Sequence, residues 1–327
     1  MAKTDNPAIE RIEKEQKGII EYHKLVGSRF GTGITAEDLL KQELKEPEWT
    51  IDNFLPRGLC IFIGKHKTGK SYLSLQIAIN AAVGSALFKN YLCKPMKVLY
   101  LGFEDSENRV HRRLIDIEAV PTKNLTIQID YPRGVPGLDA LKTLFKGYPE
   151  TKLVIIDTLG RFQRGVDWND YGQTTEYAGE LQRYAIENDA TIMAVHHARK
   201  SAAEDFTENS LGSQGWVAAA DTIMLIEKKR GVADAYLQAT GRDFGDWEIA
   251  LRQKGEFGFE LLGEGKEFRM SHSRHEIYEL LKEEGEPIGP KDIAAMLGKN
   301  YGTIRWMLTQ MVNDGEIKNP KRGFYSV

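Results

Sequence analysis

Cysteine is scarce in this sequence, and long apolar runs are missing from it. The 327 residues include only Cys60 and Cys93, too few for a disulfide framework and without the CxxC spacing of a zinc site. No run reaches the roughly 18 apolar residues that a membrane span needs, and the charged residues 1–14 contain no apolar core for a secretion signal. The sequence therefore predicts a cytoplasmic protein with no membrane partner and no metal cluster.

Excess charge of either sign is also small. The 44 lysines and arginines nearly balance the 47 aspartates and glutamates, for a net charge of -3. This balance excludes a surface coated with positive charge, so any contact with nucleic acid has to be local. Hydrophobic residues make up 41% and charged residues 28% of the chain, which excludes wholesale disorder and a fibrous architecture.

The central part of the chain predicts an α/β fold. Short apolar runs alternate there with longer amphipathic segments, as expected for a parallel sheet covered on both faces. The runs are 59–63, 98–103, 153–156, 191–195 and 222–226. Three alternating segments with glycine turns follow at 235–240, 247–252 and 257–262. They predict antiparallel hairpins at the edge of the sheet.

The two ends of the chain predict separate domains. Residues 1–48 are polar and helix-prone, with only loosely periodic isoleucines, so they predict an arm that docks between subunits. The glycine-rich residues 263–265 predict a linker that closes a core domain over 49–265. Residues 272–327 predict three helices and two short strands, the outline of a small winged helix-turn-helix domain.

The strongest motif is a phosphate-binding loop. Residues 64–71 match GxxxxGK[ST] directly after an apolar run and before a helical segment. This arrangement aims backbone N–H groups and the helix dipole at one point, where ATP and Mg²⁺ are expected. Lys70 would reach the β- and γ-phosphates and Ser71 would ligate Mg²⁺. The predicted nucleotide-binding residues are Gly64, Lys65, His66, Lys67, Thr68, Gly69, Lys70, Ser71 and Tyr72.

A second ligand for Mg²⁺ is expected at the tip of a neighbouring strand. Asp157 follows the apolar run 153–156, about 85 residues beyond the loop, which is a typical distance for this carboxylate. An acid that simply ends a strand and caps the next helix is the alternative.

Taken in order, these motifs give the chain a clear resemblance. It resembles RecA-type P-loop ATPases, in particular the plasmid RepA-type branch of hexameric replicative helicases and their phage and mobile-element relatives. Four landmarks carry the resemblance over residues 49–262: the phosphate loop, 99–106, 155–159 and 195–200. It implies a RecA-like core that hydrolyses Mg-ATP between subunits of a homo-oligomer, a hexameric ring, with DNA as a partner.

The resemblance also implies roles for acidic and imidazole side chains at two strand ends. Glu104 takes the place of the general base, with Asp105 as its rival and capping of the next helix by both acids as the alternative. His197 takes the place of the γ-phosphate sensor. Consecutive strand residues face opposite ways, so only one of His196 and His197 can point at the nucleotide. A purely structural histidine stays open.

Arg242 takes the place of the arginine that a neighbouring subunit inserts to stabilise charge on the transferred phosphoryl group. The family's lysine two residues earlier is replaced here by Thr240. Because of this departure, Lys228, Lys229 and Arg230 are alternatives, and a solvated surface arginine stays open.

Two basic regions predict contacts with nucleic acid. The resemblance implies that the loop after His197 grips single-stranded DNA in the channel through Arg199 and Lys200, with a ligand-free loop as the alternative. Residues 293–327 hold 5 lysines and arginines against 2 acids, whereas 272–292 hold 3 against 6. This polarity predicts contacts with duplex phosphates, and protein docking is the alternative. The candidates are Arg305, Lys318, Lys321 and Arg322.

The expected function is therefore an ATP-driven helicase or translocase that replicates a plasmid, phage or integrated element. The alternative is a DNA-binding ATP switch, a replication regulator or loader that hydrolyses ATP without unwinding. Stimulation of hydrolysis by single-stranded DNA separates the two. A ParA-type partition ATPase, which Lys65 would match, fits the paired histidines and the C-terminal domain poorly.

Overall fold

In a computed structural model, the chain divides into two compact units, residues 1–46 and 47–327. The structure describes residues 17, 34–43, 48–167, 170–197, 214–228, 234–254 and 258–327. In the first unit, helix α1 (Ala36–Leu40) begins after Thr35, whose side chain accepts a hydrogen bond from the backbone N–H of Asp38. All described residues of this unit are exposed.

A nine-stranded sheet organises the second unit, preceded by the short antiparallel pair β1 (Trp49–Ile51) and β2 (Leu55–Pro56). Six strands run parallel: β3 (Gly58–Gly64), β4 (Lys97–Gly102), β5 (Leu125–Gln128), β6 (Thr151–Asp157), β7 (Thr191–His197) and β8 (Thr222–Lys228). Three continue antiparallel: β9 (Ala235–Gly241), β10 (Trp247–Lys254) and β11 (Gly258–Glu264). The order is β11-β10-β9-β8-β3-β7-β6-β4-β5. The predicted mostly parallel sheet with an antiparallel edge is confirmed.

Helices cover both faces of this sheet. One face packs against α2 (Lys70–Val83) and α3 (Glu107–Asp116), and the other against α4 (Val135–Gly147), the short α5 (Leu159–Phe162), α6 (Tyr171–Glu187) and α7 (Gln214–Ala219). Strand β3 shows why its sequence is apolar throughout: Phe62 enters the first core, and its neighbours Ile61 and Ile63 enter the second. Burying each such side chain contributes about 1.5–3 kcal/mol. Within the described residues, no helix has both the length and the apolar character needed to cross a membrane.

The C-terminal part has a cluster of buried residues of its own. It contains α8 (Gly265–Glu284), α9 (Pro290–Leu297), α10 (Tyr301–Asn313) and the antiparallel strands β12 (Lys318–Lys321) and β13 (Phe324–Ser326). Its core includes Ile277, Leu281, Ile293, Ile304, Leu308 and Tyr325. A bridge between Ile288 and Tyr325 connects the segment before α9 with β13. The three helices and the two strands occur in the predicted order.

The predicted glycine linker at 263–265 is wrong. Strand β11 continues to Glu264, and α8 begins at the next residue, Gly265. The reason is strand pairing, because Gly263 lies opposite Ala250 and Glu264 lies opposite Ile249 of β10. The glycines therefore belong to the sheet, and the first C-terminal helix begins several residues before the predicted boundary.

Candidate functional site

The carboxyl ends of four parallel strands meet at one edge of the sheet. Gly64 of β3 lies beside His197 of β7, and Asp157 of β6 lies beside Gly102 of β4. Glu104 follows β4 by two residues. Because parallel strands end at the same edge, residues far apart in the sequence gather there. The gathered residues are Lys70, Ser71, Glu104, Asp157 and His197.

The loop between β3 and α2 has the form of a phosphate cradle. Gly69 adopts φ +92° and caps the N-terminus of α2. A Cβ atom at this position would lie 2.7 Å from the ring of Phe259, so both the backbone and the available space require glycine. The Thr68 hydroxyl donates to the Lys65 carbonyl at 2.9 Å and tightens the loop. The loop ends at a helix N-terminus, where N–H groups and the dipole favour an anion.

Lys70 is a buried cation at the start of α2. Its Nζ donates hydrogen bonds to the carbonyl oxygens of Gly64 at 2.6 Å and Lys65 at 2.7 Å. Burial lowers the pKa of Lys70 to about 8, although Asp157 and Glu104 act in the opposite direction. The ammonium group is therefore only partly compensated, and a phosphate anion would stabilise its charged form.

Ser71 and Asp157 form an oxygen-rich pair beside Lys70. The buried carboxylate of Asp157 accepts a hydrogen bond from the Tyr100 hydroxyl at 2.7 Å and another from the Ser71 side chain. Burial raises the pKa of Asp157, and these two hydrogen bonds oppose the rise.

A hydroxyl and a carboxylate are the hard donors that Mg²⁺ prefers, and Mg²⁺ commonly takes one or two protein ligands together with substrate phosphates and waters. The pair of Ser71 and Asp157 therefore fits this ion. Across the part of the chain that the structure describes, no group of three or more His, Cys, Asp or Glu side chains could hold a metal. A Mg²⁺ ion here would depend on bound phosphates for further ligands.

Glu104 and Asp105 are neighbours in the sequence but have different partners. Asp105 is almost fully buried and pairs with Arg113 at 2.5 Å. The half-exposed Glu104 accepts a hydrogen bond from the Thr158 hydroxyl at 3.1 Å and lies 3.5 Å from Nε of Arg161. Asp105 is thus held by an ion pair with α3, whereas Glu104 faces the end of β6 and remains accessible to a water molecule.

The alternative in which these acids cap the next helix is wrong. The N-cap of α3 is Ser106, whose side chain accepts a hydrogen bond from the backbone N–H of Arg109 at 3.4 Å. The corresponding alternative for Asp157 is also wrong, because the N-cap of α5 is Thr158. Neither strand end needs its acid for capping.

His197 lies at the centre of this cluster. Its Nε2 is 3.8 Å from Oε2 of Glu104, and its ring stacks on the ring of His66 with centroids 4.0 Å apart. Burial, the charge of Lys70 and the neighbouring His66 lower the pKa of His197, while Glu104 opposes this. The imidazole is therefore neutral at pH 7 and can donate one N–H.

Arg242 lies at the other end of the sheet. Its Nη2 donates to the carbonyl oxygen of Ala218 at 2.5 Å, and its Nη1 is 3.6 Å from Asp221. Asp221 accepts a hydrogen bond from the backbone of Leu59, at the start of β3. Since the phosphate loop follows the end of this seven-residue strand, roughly 20 Å separate the two positions. Arg242 does not reach Lys70 of its own chain.

The predicted nucleic-acid contacts fall in two places. Arg199 and Lys200 lie outside the described residues, as do Lys229 and Arg230. Lys228 is described and donates to the side chain of Gln253 at 2.9 Å. The C-terminal candidates Arg305, Lys318, Lys321 and Arg322 are all exposed, on α10 and on the β12–β13 hairpin.

The sequence reasoning missed several side chains that contact the gathered residues. Tyr100 had a weak signal, since a phenol inside an apolar strand usually needs a hydrogen-bond partner. Thr158 and Arg161 had none, because their contact with Glu104 depends on how the chain turns after β6. Nothing in the sequence indicated that the rings of His66 and His197 would stack.

Comparison with known proteins agrees with this geometry. A family described as AAA domain matches residues 28–203, more than half of the chain. A solved structure whose title describes an ATPase domain aligns with 76% of this chain and 98% of its own at 14% sequence identity, with a TM-score of 0.50. At that identity the likeness shows the fold alone. With the phosphate loop in place at the sheet edge, the chain belongs to the AAA domain family and is a RecA-like P-loop ATPase.

Proposed function

We propose that this ATPase assembles into a ring, a hexamer, and moves along DNA as a RepA-like replicative helicase or translocase of a plasmid, phage or mobile element in the cytoplasm. One observation carries the proposal: Lys70 and Glu104 lie at one end of the sheet, whereas Arg242 lies at the other. If Arg242 acts on ATP, it must come from a second copy, and a head-to-tail contact of this kind closes into a ring.

The chemistry follows from the gathered side chains. The backbone N–H groups of 64–71 and the Lys70 ammonium bind the phosphates. Ser71 and Asp157 hold Mg²⁺, which neutralises charge on the phosphate oxygens. Glu104 accepts a proton from the attacking water as the water oxygen bonds to the γ-phosphorus and the bond to the ADP oxygen breaks. His197 donates its N–H to a γ-phosphate oxygen, and Arg242 of the neighbouring copy stabilises the developing charge.

Contacts with DNA are assigned to two regions in this proposal. Arg199 and Lys200 grip the single strand in the channel. The C-terminal residues 272–327 act as a winged helix-turn-helix that binds duplex phosphates through Arg305, Lys318, Lys321 and Arg322. The charge of α10 supports this, because Arg305 is its only charged residue and is exposed. Residues 1–48 serve as an arm that docks on the neighbouring subunit of the ring.

The test is the rate of Mg-ATP hydrolysis with and without single-stranded DNA, beside duplex DNA and an EDTA control. We expect single-stranded DNA to accelerate hydrolysis several-fold and EDTA to stop it. Hydrolysis that ignores single strands, together with tight binding of particular duplex sites, would replace the motor by the ATP switch. A Lys70→Ala protein should hydrolyse no ATP under any of these conditions.

A further inference from the structure

We infer that His66 is a positioning residue for His197: its ring packs face to face on the His197 ring and holds that imidazole in the orientation in which Nε2 faces Glu104. The inference rests on the proposed function, in which His197 senses the γ-phosphate. It adds a task for a side chain of the phosphate loop, whose other contribution is made by its backbone.

The geometry of the two rings is specific. Their centroids are 4.0 Å apart and their planes differ by 21°, so the contact is a face-to-face stack. His66 lies in the exposed part of the phosphate loop, and His197 is the last residue of β7, directly beside Gly64 in the sheet register. The stack therefore connects the phosphate loop to the strand end that carries the sensor.

The hydrogen bonding of His197 explains why a stack is needed. A functional imidazole is usually oriented by a hydrogen bond at its second nitrogen. Nδ1 of His197 is buried and has no hydrogen-bond partner among the described residues. On its other side, Nε2 is 3.8 Å from Glu104, which is too long for a firm hydrogen bond. Contact with the face of the His66 ring is thus the closest restraint on its rotation.

Substituting the His66 side chain should leave phosphate binding largely intact, because the loop binds phosphate through backbone N–H groups and Lys70. The expected loss is therefore in the rate of the chemical step. A sensor ring that turns away from the reacting phosphate lowers turnover while substrate still binds. This separates positioning from a direct phosphate contact by His66.

The experiment compares His66→Ala with His66→Phe, which keeps an aromatic face but no ring nitrogen. His66→Ala should lower kcat about tenfold with KM changed less than about threefold, and His66→Phe should stay within about twofold of wild type. His111→Ala, at an exposed histidine of α3, is the matched control and should behave as wild type. In a double-mutant cycle, His66→Ala should add nothing to the loss caused by His197→Ala.

Normal turnover in His66→Ala, equal losses in the Ala and Phe variants, or additive losses in the cycle would each overturn the inference. A second measurement does not depend on activity. In the proton NMR spectrum of the nucleotide-free protein, stacking should shift the His197 ring protons in wild type and His66→Phe, but not in His66→Ala. If the shift is absent from wild type, the inference fails even if the protein hydrolyses ATP. A wild type that shows the shift but no hydrolysis leaves the stack intact and removes the proposed function.

Discussion

Lys70 illustrates how burial and charge compete at a single side chain. The ammonium group is buried against two backbone carbonyls, and burial lowers its pKa to about 8 despite the nearby carboxylates of Asp157 and Glu104. Below that pH the group is charged and ready to bind phosphate. Above it, the lysine must first take up a proton before the ion contact with nucleotide can form.

The affinity for ATP should therefore be constant below about pH 8 and weaken above it, by up to about tenfold per pH unit. The sign follows from linkage: binding favours the protonated lysine, so it takes up a proton wherever the free protein has lost one. Titration with a fluorescent ATP analogue between roughly pH 7 and pH 10 measures this dependence. Lys70→Arg is the control, since guanidinium stays charged. An equally steep fall in that variant would assign the effect to another group.

Glu104 and Asp105 should respond differently to loss of their charge. Glu104→Gln should still bind ATP but turn over about 10²–10⁴-fold more slowly, because the water loses its proton acceptor. Asp105→Asn should keep the chemistry but lower the free energy of unfolding by about 3 kcal/mol, since it leaves the Arg113 charge without its buried partner. Steady-state kinetics and urea unfolding of both variants check this. Slow turnover with unchanged stability in Asp105→Asn would move the base to Asp105.

The difference between these two acids also marks what the sequence could predict at single positions. Lys70, Ser71 and Asp157 were predicted to meet from motif spacing and the rule that parallel strands end at one edge, and the structure brings them together. The choice of Glu104 over Asp105 came only from a family resemblance. What separates them physically is Arg113 on α3, whose side-chain position depends on tertiary packing. The functional roles of all these residues stay predictions.

The contact between α2 and β11 fixes the antiparallel edge of the sheet next to the phosphate loop. The Gln76 side chain of α2 acts as a substitute strand: its Nε2 donates to the Phe259 carbonyl at 2.9 Å, and its Oε1 accepts from the Phe259 N–H at 3.1 Å. The ring of Phe259 then packs beside Gly69. One amide thus holds β11 against the helix that begins at the phosphate loop.

Gln76→Ala should lower the free energy of unfolding by about 1–3 kcal/mol, because two partly buried backbone groups of Phe259 lose their partner. Urea unfolding followed by circular dichroism measures the difference. Gln128→Ala, at an exposed position of the edge strand β5, is the matched control and should change stability little. Equal unfolding midpoints for the two variants would show that this amide does not hold β11.

The helices and strands were predictable in proportion to their burial. The runs that became β3, β4, β6, β7 and β8 are apolar on both faces, and the structure extends each by only a few residues. Strand β5 was missed, because its four residues are only half buried at alternate positions and lie at the sheet edge. Helix α4 was missed as well. It starts with Pro136 and Gly137, residues typical of turns, although proline is well tolerated in the first turn of a helix.

The arrangement of the whole molecule separates the two halves of the proposed active site. The phosphate loop lies at the carboxyl ends of the parallel strands, and Arg242 lies beside Asp221 at the opposite end. A single chain therefore presents an incomplete site at each end. The central claim is that hydrolysis needs both ends, supplied by two neighbouring subunits.

Mixing two inactive variants tests this claim most directly. Lys70→Ala should fail to hydrolyse ATP because its own phosphate loop is defective, and Arg242→Ala because it offers no arginine to its neighbour. In an equal mixture, about a quarter of the head-to-tail contacts join an intact loop to an intact arginine. Measured ATP turnover should therefore reappear in the mixture while each variant alone stays inactive. A mixture that remains inactive, or an Arg242→Ala protein with wild-type turnover by itself, would contradict the account.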